Sequence, residues 1–118
     1  ETTAALAVQR AAAGCDNPQL RAALQKIADE EAQHAALAWR SVAWALAQDE
    51  DAVRSALQRR AAQFAASLAR QEAARSADEP SEASDLELAQ LGRLDAAGLH
   101  QTERDAWFGI VEPMLARL

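Results

Sequence analysis

The sequence predicts an all-α protein, an antiparallel four-helix bundle with a short extra helix between its third and fourth helices. Three observations carry this expectation. Half of the 118 residues are hydrophobic and 32 of those are alanine, the strongest helix former. Strand formers are scarce, with four Val, two Ile and no Tyr, which argues against a sandwich, a barrel or a doubly wound sheet. Gly and Pro are few and clustered, so long stretches run without a breaker. Alanine side chains also let neighbouring helix axes come close.

Each element follows from local chemistry. Residues 1–13 hold no breaker, and Gly14-Cys15-Asp16-Asn17-Pro18 supplies a helix stop, a cap and Pro at the first position of the next helix. From Pro18 to about Ala47 a long second helix is expected. Asp49, Glu50 and Asp51 place negative charge where a third helix would begin, favourable against its dipole, and that helix should run to about Ser76. Asp78 to Glu82 reads as a loop, and Ser84 to Glu87 fits a capping box for the short extra helix. Gly92 and Asp95 mark another break before a last helix from about Ala96 to the end. Pro113 should kink that helix near Gly109, whose carbonyl it displaces.

The length suits one domain, residues 1–118, with a core that needs no metal or disulfide support. Glu1 falls inside a helical pattern, so an upstream extension is expected. Cys15 is alone, which rules out an internal disulfide and a cysteine zinc site. A net charge of −6, scattered rather than blocked, argues against nucleic-acid binding. The longest apolar stretch, Ala35 to Ala47, contains Arg40 and is too short to span a bilayer. No targeting segment is visible, and localisation is not readable from the sequence, with a soluble cytoplasmic protein slightly favoured.

The second helix carries the chemistry. At about 100° per residue, Leu20, Leu24, Ile27, Ala38, Val42 and Ala45 form one stripe, expected to be buried. Glu31 and His34, at spacing i, i+3, fall within it, whereas Asp29, Gln33 and Arg40 point the other way. Burying a carboxylate is costly unless it is paired, hydrogen-bonded or bound to metal. A hairpin closing between residues 13 and 18 brings Glu1 opposite Glu31, on the face of Ala5, Val8 and Ala12. Two carboxylates and one imidazole then converge at one level. The carboxylates would repel unless a proton or cation lies between them, and such donors suit iron, manganese or zinc.

Glu31-Ala-Gln-His34, inside the stretch from Ile27 to Trp39, resembles the second-helix motif of ferritin-like carboxylate-bridged proteins. More narrowly, it is similar to bacterial ferritin-like domains in which I-A-x-D-E-x-x-H-A-x-L-A-W follows a D-P-x-L-R helix start, here Asn17-Pro18-Gln19-Leu20-Arg21. Glu1 matches the first-helix glutamate of that family. The resemblance covers residues 1–47 and beyond them only helical character. It implies an iron-binding, di-iron-type bundle with Glu1, Glu31 and His34 as metal ligands and a redox or iron-handling role. In the family, two helices give one Glu each and two others a Glu-x-x-His each.

The second half departs from that pattern. The inward positions level with Glu31 on the third helix are Arg60, Phe64, Ser67 and Leu68, with no glutamate. Glu72 lies about 100° off that line. The last helix has the reversed order His100-x-x-Glu103, misplaced by roughly 10 Å along the axis and read here as a solvated helix start. One chain thus offers half a di-metal site. A symmetric homodimer would supply two Glu and two Glu-x-x-His across a two-fold axis. The alternative is a degenerate bundle without metal, serving as a structural or interaction module, with Glu31 bridged to Arg60 or a hydroxyl. Trp39 and Trp44 fall on the flanks of the stripe as packing or partner residues, and Cys15 reads as an unremarkable loop thiol. Arg54, Arg59 and Arg70 read as surface charges.

Overall fold

A computed structural model of the chain describes residues 1–75, 87 and 89–118, and among these there is no strand. Every regular element among the described residues is helical. Helix α1 spans Thr2–Gly14, α2 Pro18–Gln48, α3 Glu50–Arg75 and α4 Ala96–Ala106; α4 continues as a π-helical stretch, Trp107–Val111, and a last turn, α5, Glu112–Leu115. These limits agree with the breakers and caps in the sequence. The expected capping box of the short extra helix, Ser84 to Glu87, lies outside the described residues except for Glu87, which is helical, as are residues 89 and 90.

The helix starts are made by side chains that satisfy the first free N–H groups. Asn17 Oδ1 accepts from the N–H groups of Gln19 and Leu20 at 3.0 and 3.1 Å. Asp49 accepts from Ala52 N–H at 3.1 Å, and Asp95 from Gly98 N–H at 2.6 Å. Gly92 turns the chain with φ +70°, and a Cβ there would stand 2.5 Å from Leu24 Cδ1. Pro113 lacks the N–H that would reach Gly109, and its ring pushes that carbonyl aside. The expected kink is a widening: Glu112 N–H donates to Trp107 O, the i→i−5 bond of a π-helix.

The packed face of α2 differs from the stripe read in the sequence. Ala28 and Ala35 are its buried residues, and Leu24, Glu31, Trp39, Val42 and Ala45 are half-buried. Leu20, Ile27 and Ala38, expected inside, are exposed. The inward face is thus rotated by about 50° from the predicted one. Helix α1 lies along it. On its other side α1 meets α4, where Arg10 donates to Thr102 Oγ1 at 3.1 Å and pairs with Asp105 at 2.5 Å. Thr102 is buried and its hydroxyl donates to Gly98 O at 2.7 Å. Cys15, expected to be an ordinary loop thiol, is fully buried, with Sγ 3.6 Å from Asn17 O. Arg21 donates twice to its carbonyl, at 2.9 and 2.6 Å.

Helix α3 meets the C-terminal helices through long side chains. Phe64 and Trp107 have ring centroids 4.9 Å apart, Arg54 reaches Leu118 O at 3.0 Å, and Arg75 reaches Ala96 O at 2.8 Å. These contacts step in opposite directions along the two segments. The Cα envelope measures 49 × 37 × 14 Å and the radius of gyration is 16.6 Å. A compact chain of this length has about 13–14 Å, so the helices spread into a thin, wide layer that leaves clefts between them.

Candidate metal centre

Glu1, Glu31 and His34 come together. Glu1 precedes α1, its carbonyl accepting from Ala5 N–H at 2.9 Å while its carboxylate makes no capping bond. Glu31 sits on the edge of the packed face of α2, and His34 lies one turn further on and outside it. His34 Nδ1 is 3.9 Å from Glu1 Oε2 and 4.0 Å from Glu31 Oε2, and one ligand atom from each of the three residues lies within 4.8 Å of the others. The side chains are 52%, 27% and 60% exposed for Glu1, Glu31 and His34. The cluster is therefore a surface cleft rather than the buried layer expected from the sequence.

Neighbouring acids are engaged elsewhere. Glu30 pairs with Lys26 at 3.9 Å and Asp29 accepts from Gln25 at 3.2 Å, both on the exposed side. Arg60, the residue expected to bridge to Glu31, is exposed and bonds instead to Gln63 Oε1 at 3.5 Å. Among the described residues no Arg, Lys or hydroxyl pairs with Glu31. Two carboxylates thus face one imidazole with no cation between them.

The donor set fits a metal ion. Carboxylate oxygen and imidazole nitrogen suit iron, manganese or zinc. Donors bound to one such ion lie about 2.0–2.2 Å from it, hence about 3 Å from one another. Modest torsions of Glu1 and His34, both solvent-facing, close the remaining distance. Three protein donors also leave coordination positions open.

No family model matches the chain, and no curated protein or solved structure is similar to it at a significant level. The site must be read from its own residues.

His100 and Glu103 do not join the cluster. His100 is half-buried rather than solvated, with Nδ1 3.1 Å from Gln71 Oε1 and a buried Nε2 without a partner. Glu72 pairs with Arg104, whose guanidinium also lies 5.9 Å from the Phe108 ring centre. The inward turn of Phe64 and Leu68 on α3 agrees with the sequence. Asp105 is held below the usual carboxylate range, chiefly by its hydrogen bond from Arg10 and then by that from Gln101.

A cavity of about 320 Å³ opens beside the cluster, a feature that the helical patterns did not foretell. Glu1 contributes to its wall, with Trp39, Val42, Phe64, Trp107 and Arg60 among its other lining residues. Trp39 is fixed by a bond from Nε1 to Thr2 Oγ1 at 3.4 Å. Trp39 and Phe64 were visible in the sequence, as a flanking and an inward residue, but the void depends on how far α3 stands from α2.

Proposed function

We propose that the chain is a ferritin-like, iron-binding domain in which Glu1, Glu31 and His34 hold the metal. The observation that carries this reading is the approach of two carboxylates and an imidazole with no cationic side chain to balance them. Glu1, Glu31 and His34 would hold iron, which would supply redox chemistry with dioxygen or peroxide; manganese and zinc suit the same donors. The chain's own part is to orient the donors: α2 sets Glu31 and His34 at i, i+3, and the α1–α2 hairpin brings Glu1 to their level. On this reading the helices form an antiparallel four-helix bundle, supported by the opposed contacts of α3 with the C-terminal helices.

The reading includes a homodimer. On the outward side of α2, Leu20, Ile27, His34, Leu37 and Trp44 are spaced as the a and d positions of a heptad, and all are exposed. A second copy laid antiparallel along this stripe would cover the four apolar residues and bring two Glu1–Glu31–His34 sets face to face. Metal analysis of protein purified without chelator tests the proposal. About one iron per chain is expected in the native protein and almost none in Glu31→Ala and His34→Ala. Equal, sub-stoichiometric metal in all three overturns it.

A metal-free structural or interaction module is the second reading. It is favoured by Phe64, Ser67 and Leu68, which stand on α3 where the helix register leads one to expect further ligands.

A further inference from the structure

The cavity between α2, α3 and the C-terminal helices has features the metal reading does not use. Its volume of about 320 Å³ lies at the small end for small-molecule sites, about 300–1,000 Å³. Trp39, Val42, Leu57, Phe64 and Trp107 make its wall largely apolar, and Arg60 is the cation among its lining residues. Arg60 is also an uncommitted charge. Its one hydrogen bond, to Gln63, is 3.5 Å long, and among the described residues no acid pairs with it. The acidic lining residue, Glu1, is directed to His34 at 3.9 Å.

The geometry points to a binding site for a small amphipathic carboxylate, its apolar tail between Trp39, Phe64 and Trp107 and its carboxylate on the Arg60 guanidinium. Guanidinium and carboxylate match as a charge-assisted, two-pronged hydrogen-bonded pair. The tail gains contact with walls that otherwise lack packing partners on one side. Trp107, which lines the cleft, is the first residue of the π-helical stretch. This site does not depend on metal ligation, although a bound acid would lie beside the Glu1 cluster.

Isothermal titration of the metal-free chain with octanoate, octanol and octylammonium tests it. Octanoate should bind saturably, with octylammonium at least tenfold weaker. Arg60→Gln, an exposed change that leaves the fold intact, should weaken octanoate about fivefold while leaving octanol unchanged. Ala61→Phe, which fills the cavity, should abolish octanoate binding with the helical circular dichroism signal retained. Absence of octanoate binding, equal binding of octanoate and octylammonium, or an Arg60→Gln chain that binds octanoate as well as the native one overturns the proposal.

Discussion

In α1 and α2 the buried residues are alanines: Ala11 and Ala12 on one helix, Ala28 and Ala35 on the other. Between α3 and the C-terminal helices the contacts are an aromatic pair, Phe64 with Trp107, and long polar side chains such as Arg54, Arg75 and Gln71. Small side chains bring backbones close, and short-reaching groups on the two helices can then meet, as Glu1, Glu31 and His34 do. Long side chains span a wider gap at its edges and leave a cavity in the middle. One alanine-rich chain thus builds a tight half that gathers two carboxylates and an imidazole, and a loose half that gathers space.

The largest stability loss should come from the loose half, where one aromatic pair supplies the apolar contact. Trp107→Ala should cost about 3–5 kcal/mol in urea unfolding; a loss below about 1 kcal/mol would mean that α3 is not held by this pair. In the tight half, Ala28→Leu should cost about 1–3 kcal/mol by forcing α1 off α2. It should also weaken metal binding by moving Glu1 away, and unchanged metal affinity would break the link between small-residue packing and the site.

Smaller effects bear on how α4 is tied to α1. Thr102→Val removes a buried hydroxyl bonded to Gly98 O and Arg10, and should cost about 1–2 kcal/mol. Asp105→Asn should be mildly destabilising with a characteristic pH dependence. The folded pKa of Asp105 lies below its unfolded value of about 4. Its contribution is therefore present above pH 4 or so and fades as pH falls through the folded value. The difference in melting temperature between native protein and Asp105→Asn should be constant at neutral pH and shrink in acid. A difference that grows in acid would contradict the assignment.

Helix boundaries were legible because they rest on local chemistry: Asn17 with Pro18, Asp49, Asp95, Gly92 and Pro113 act through their own backbone. The meeting of Glu1 with Glu31 and His34 was legible too, since a short turn between α1 and α2 leaves little freedom in register. The phase of α2 was not. Leu20 and Ile27 pointed to one face, but the helix packs on Ala28 and Ala35. With so many alanines, an inward alanine looks no different in the sequence from an outward one, and the larger residues mark instead the face left open. The cavity and the burial of Cys15 and His100 escaped for a related reason: each depends on how far one helix stands from another, which residue type alone does not set.

Glu1, Glu31 and His34 are proposed to hold a metal ion. An anomalous difference map at the iron absorption edge, from crystals grown with ferrous iron, tests it most directly. A strong peak within bonding distance of all three side chains, with a second set of the same ligands from a neighbouring copy, is the expected result. A map with no peak there, or with iron bound only at other surface carboxylates, would contradict it.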